Sequence, residues 1–243
     1  MNTFDTPFVL SIDRDRLVRA CIGIALGLSS LHVVFQVIAR TTGHNGLYGL
    51  AHLFDLDAEL SIPSYFSATL LLFAGALLGV IAVFERQIRS PFARQWTALA
   101  LTFCYLAVDE AASIHELLAR PALWLMGQSM RDVFYYLWVI PGFAVVVAFA
   151  LFFIPFLRRL DSRMRWQWVA AGAIYVGGAL GFETLSGRAI ALYGPNVAFQ
   201  SMVVCEETSE MLGVIVFIDA LLVHLGTHYR DARFRVGGVD LHS

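Results

Sequence analysis

The chain has 243 residues, 58% of them hydrophobic and only 15% charged, with a net charge of −2 when histidine is neutral. A soluble domain is usually about 45–50% apolar and about 25% charged, so a mean hydropathy of +0.68 points to an integral membrane protein. All 17 basic residues are arginine; without lysine there is no Schiff-base chemistry, and no basic block is long enough to suggest nucleic-acid binding.

The first apolar run, 17–39, is long enough to cross a bilayer core of about 30 Å. It is full-length and has no small-residue cleavage site, so it reads as a span and not as a secretory signal. His32 and Gln36 share one face of it, and a hydrogen bond to a neighbouring helix is the simplest expectation for them. Residues 40–61 form an acidic connection containing Asp55, Asp57 and Glu59. Alternate acids of this kind present several oxygens to a hard cation, although the complete calcium-loop pattern is absent. An ordinary solvated loop, or a cap for the next helix, reads the same residues equally well.

The second span, 62–84, has no ionisable side chain. The third, 96–119, is apolar in its first half and then carries Asp109, Glu110, His115 and Glu116. Asp109 and Glu116 are seven residues apart and share a face if the helix is continuous. The fourth span, 134–157, contains Pro141 and Pro155 but no charge. The fifth, 166–185, is rich in alanine and glycine, which favours close helix approach, and ends at Glu183. The sixth, 199–225, opens on Glu206, Glu207 and Glu210, which fall within about 100° of one another around a helix. Residues 226–243 form the tail. The cysteines, Cys21, Cys104 and Cys205, all sit in apolar runs and do not suggest a disulfide framework.

The expected architecture is therefore an all-α integral membrane protein, a single transmembrane domain of six helices. Thirteen arginines fall on the side of the termini and the even-numbered loops, whereas Arg40, Arg120, Arg131 and Arg188 fall on the other. Both termini are then cytoplasmic by the positive-inside rule, and 40–61 is extracytoplasmic. In a bacterial inner membrane the acidic side faces the periplasm. At 1.5 Å per residue, Asp109, Glu183 and Glu206 all come to the same outer half of the bilayer, directly below the acidic loop.

Each ionisable group at that depth costs roughly 2.5–3.5 kcal/mol on insertion scales and marks a functional site by default. The first reading is a metal site, mononuclear or dinuclear, built from Asp109, Glu110, His115, Glu116, Glu183, Glu206, Glu207 and Glu210, with Asp55, Asp57 and Glu59 as a cap from outside. Carboxylates with an imidazole suit a divalent ion such as iron, zinc, manganese or calcium. Glu206, Glu207 and Glu210 are also the candidates for catalysis in a metal-dependent hydrolase or oxidoreductase acting on a lipid or another apolar molecule from the bilayer. The Glu-x-x-His pair of ferritin-like di-iron bundles is missing.

Two other classes fit the same residues. A proton or cation transporter would use the carboxylates as a relay, continued inward by Asp219. A structural or assembly subunit would pair them with the outer arginines. The sequence is compatible with a homo-oligomer.

Overall fold

The computed structural model describes residues 13–43, 49–126 and 135–229. Every regular element among them is helical. Five helices are long and apolar enough to cross a membrane, and a sixth span is formed if a bent pair counts as one. The tail beyond 229, with Arg230, Arg233 and Arg235, lies outside the described residues, as do Arg131, His44 and the first residues of the expected fourth span.

Helix α1 runs Arg14–Thr42. A single turn, α2 (Leu50–Leu53), precedes the α3–α4 hairpin, Ile62–Gln87 and Ala93–Ala112. A 3-10 turn, Ile114–Leu118, leads to the short α5, Ala119–Met126. Helix α6 is Val139–Leu157. Helix α7, Ser162–Val176, passes through a π-helical stretch, Gly177–Phe182, into α8, Glu183–Tyr193. The last helix, α9, is Val197–His228.

Several starts are set by polar residues at the edges of the apolar runs. The side chains of Asp13, Ser61, Asp161 and Asn196 each accept a hydrogen bond from a backbone N–H three residues on. This satisfies donors that a helix start otherwise leaves open.

Helix α9 is the axis of the bundle and packs against α1, α3, α7, the π stretch and α8. Its inner face buries Met211, Val214, Ile215, Ile218 and Leu221. At the end rich in arginine, Trp96, Phe156, Trp168 and Phe217 interlock edge to face, and His224 stacks on Trp96 with ring centroids 5.1 Å apart. His224 is buried, and the His228 ring lies beside it with centroids 4.3 Å apart. Helix α1 is tied to α9 by Ser29 to Thr208 at 2.7 Å and by the Arg14 guanidinium on the Asp219 carboxylate at 2.6 and 2.9 Å.

The close approach of α7 to α9 depends on glycine. A Cβ on Gly213 would stand 2.8 Å from the backbone nitrogen of Tyr175 and 3.0 Å from the carbonyl oxygen of Ala171. One on Gly178 would stand 2.9 Å from the carbonyl oxygen of Glu206. Small residues let two backbones meet at this spacing, where dispersion and not the hydrophobic effect holds helices together in lipid.

The third span departs from expectation. It is not helical through to residue 119: α4 ends at Ala112, Ser113 takes a left-handed conformation (φ 44°), and the chain turns by 78°. The cause is Asp109. Its carboxylate accepts from the backbone N–H of His115 at 2.7 Å and bonds the His115 ring at 3.0 Å, a local alternative to the helical ladder. Asp109 and Glu116 therefore do not share a helix face.

The connection after α1 is pinned by a buried histidine. His32 Nδ1 accepts the Leu56 N–H at 3.0 Å, and Nε2 stands 3.2 Å from the amide oxygen of Gln200 on α9. The first bond leaves the proton on Nε2, which then donates to Gln200. The Leu56 side chain is buried beside it. His32 thus makes the interhelical bond expected of it, and it also holds the acidic loop against two helices.

Two outcomes follow. Gly213→Ala overpacks the α7–α9 contact and lowers thermal stability in detergent by about 1–3 kcal/mol. Gly172→Ala, where an added Cβ meets nothing within 4 Å, leaves the melting temperature unchanged or raised. His32→Ala removes the acceptor for Leu56 and speeds amide hydrogen exchange at 56–58 by about tenfold, the effect of losing one buried hydrogen bond.

Candidate functional site

At the end of the bundle opposite the arginine-rich one lies a cavity of about 350 Å³. Its walls come from the 55–59 loop, α3, the end of α4, the 3-10 turn, α6, the α7–α8 segment and α9. Nine carboxylates line it: Asp57, Glu59, Asp109, Glu110, Glu116, Glu183, Glu206, Glu207 and Glu210. His115 lines it too, and among the described residues no arginine does.

Of the eleven candidate residues read from the sequence, ten line this one cavity, and Asp55 does not. Asp55 instead faces His32, with 3.2 Å between its carboxylate and Nδ1, and accepts the Asp57 N–H at 3.2 Å. It shapes the loop that brings Asp57 and Glu59 over the mouth. His52 on α2 is exposed and not part of the lining. Cys205, next to Glu206, is exposed and points elsewhere.

The local backbone explains how these side chains meet. Glu206, Glu207 and Glu210 project from one arc of α9, where Gly178 lets the α7–α8 segment come close. The π stretch just before Glu183 adds residues per turn, rotating the following side chains relative to a regular helix. Glu183 and Glu206 lie within hydrogen-bonding reach of each other.

Two side chains have orienting partners. The Trp138 Nε1–H donates to Glu183 Oε1 at 2.7 Å. His115 Nδ1 lies 3.0 Å from Asp109 Oδ2, and the His115 ring packs on Trp138 with centroids 4.4 Å apart. With Nδ1–H donating to Asp109, the Nε2 lone pair of His115 is the one left to act as a ligand or base. As the side chains stand, no three His, Cys, Asp or Glu groups among the described residues are arranged to hold one metal ion.

Trp138, Tyr136, Tyr105 and Tyr175 also line the cavity, and sequence reasoning did not place them there. Tyr175 lies eight residues before Glu183, across the π stretch, so helical spacing gave no sign that both face the same space.

Two features bear on the other readings. Asp219 is bound by Arg14 at 2.6 Å and does not line the cavity. Below Glu110 and Glu210, the packing of Leu70, Leu71, Met211 and Val214 leaves no space for a water molecule.

No curated protein and no solved structure matches the chain. A family model described as a domain of unknown function, DUF8692, matches residues 19–225, and the chain belongs to that family.

Proposed function

We propose that the chain is an integral membrane protein whose carboxylate cavity binds a divalent cation and uses it to catalyse a reaction on a lipid or another apolar substrate, as a hydrolase or an oxidoreductase. The observation that carries this reading is the composition of the lining: among the described residues it has nine carboxylates and one imidazole, with no arginine. Charges so close together inside an apolar bundle require compensation. Arg40, Arg120 and Arg188, the outer arginines among the described residues, do not supply it at the cavity wall.

The donor set is oxygen-rich with a single nitrogen, which suits manganese, iron, zinc or calcium. Ligation draws at least three side chains to about 2.0–2.6 Å from the ion, so binding entails rotation of the glutamates from their present positions. Glu183, Glu206, Glu207 and Glu210, with Glu110 beside them on the cavity wall, are the principal ligands in this reading. His115 joins them through Nε2, with Asp109 as the carboxylate that fixes its tautomer, an arrangement that tunes many metal-ligating histidines. Trp138 holds Glu183 in the same way. A bound ion would polarise a substrate oxygen or lower the pKa of water. Glutamates not engaged by the ion serve as general acid and base.

The arginine distribution supports an extracytoplasmic orientation for the cavity, which in a bacterial inner membrane would be the periplasm. A transport relay is weakened by the packing beneath Glu110 and Glu210 and by the engagement of Asp219 with Arg14. A purely structural network of acids with arginines is weakened because no arginine among the described residues lines the cavity.

Elemental analysis of the detergent-purified protein tests the proposal. Wild type retains stoichiometric metal after loading with Mn²⁺, Fe²⁺, Zn²⁺ or Ca²⁺, and Glu206→Gln/Glu210→Gln loses it. Asp109→Asn keeps the fold but lowers metal affinity by about 10–100-fold, as loss of an outer-shell partner does. Retention of no metal by wild type under any of these loadings would overturn the reading, and ion flux in liposomes would then be the next assay.

A further inference from the structure

A second cavity, about 500 Å³, runs between α4, α6 and α7 and over part of α9. Its volume is within the range of small-molecule sites, about 300–1,000 Å³. Five residues, Leu106, Val145, Val146, Tyr175 and Val176, line both cavities, so the two adjoin. The backbone of α6 comes close to the rest of the bundle at the π stretch, and the crevice occupies the space this leaves. Away from the carboxylates its walls are hydrocarbon and aromatic, and it ends against Phe153, Leu157 and Trp168.

We propose that this crevice seats one hydrocarbon chain of a membrane amphiphile whose polar head lies among the carboxylates. The inference rests on the catalytic reading of the acidic cavity and names its substrate class.

Three observations select this occupant. The crevice adjoins the polar cavity through five shared lining residues and is otherwise lined by apolar and aromatic side chains, which matches a molecule with one polar end and one apolar end. From Val145 to Leu157 it follows α6 for about 18 Å at 1.5 Å per residue. One leaflet of a bilayer core of about 30 Å is about 15 Å deep, the reach of a single lipid chain. The walls also leave room where a chain would lie: an added Cβ on Gly172, which lines the crevice, meets nothing within 4 Å. A carboxylate-bound cation would hold an oxygen-bearing head such as an ester or a phosphate, which bare carboxylates would repel.

The test is native mass spectrometry of the full chain, loaded with Mn²⁺ and released from nanodiscs of phosphatidylethanolamine and phosphatidylglycerol. Lipid and metal are read from the same spectra. Wild type retains one lipid per chain. Gly172→Phe and Ala150→Phe, two independent ways of filling the crevice, reduce that lipid at least tenfold while the metal stays. Gly181→Phe, which has open space but does not line the crevice, keeps both. Equal lipid retention by wild type and both crevice variants overturns the proposal, as does a wild type without lipid. A lipid-free dimer that Gly172→Phe converts to monomer also overturns it and makes the crevice an interface between copies. Loss of metal from Glu206→Gln/Glu210→Gln is scored separately. A failure of the metal reading, seen as wild type with lipid but no metal, is thereby distinct from a failure of the chain-binding inference.

Discussion

Charge balance in a medium that tolerates little charge is the constraint on which the arrangement depends. Among the described residues, nine carboxylates border one cavity in a bundle whose core is aliphatic and aromatic, and no arginine joins them. Isolated, each would be costly in such surroundings, and their mutual repulsion adds to that cost. Their gathering from five segments of the chain is therefore the feature that most needs a functional cause. In the proposed reading, a bound divalent cation would meet that need and would supply the chemistry of the site.

The fold serves this arrangement through close approach. Gly178 and Gly213 let α7 and α9 come near enough for Glu183 to face Glu206 and Glu210. The π stretch adjusts the rotation of the helix at that same level. Asp109 ends α4 by capturing the backbone of His115, so one carboxylate both redirects the chain and orients the imidazole. His32 fixes the loop that brings Asp57 and Glu59 over the opening. The opposite end, packed with Trp96, Phe156 and Trp168, contributes rigidity and no chemistry.

Much of this was legible in the chain. Apolar run lengths located the helices, and counting 1.5 Å per residue brought Asp109, Glu183 and Glu206 to a common level. Both arguments use only helical geometry and the cost of charge in lipid. What escaped them has one physical character, departure from regular helix. The break at Ser113 arises from a side chain outcompeting the helical ladder, which the apolar pattern around it does not announce. The π stretch hides the relation of Tyr175 to Glu183. Trp138, Leu56 and Gln200 acquire their roles through tertiary neighbours, and periodicity carries no record of those. The crevice beside α6 is likewise a property of how helices stand apart, invisible in any one of them.

X-ray absorption at the metal edge of the Mn²⁺-loaded protein addresses the central claim most directly. The account predicts a first shell of oxygen near 2.1–2.2 Å, roughly the spacing of carboxylate ligands, with outer scattering from one imidazole that disappears in His115→Ala. A spectrum of fully hydrated Mn²⁺, unchanged by Glu206→Gln/Glu210→Gln, would contradict it.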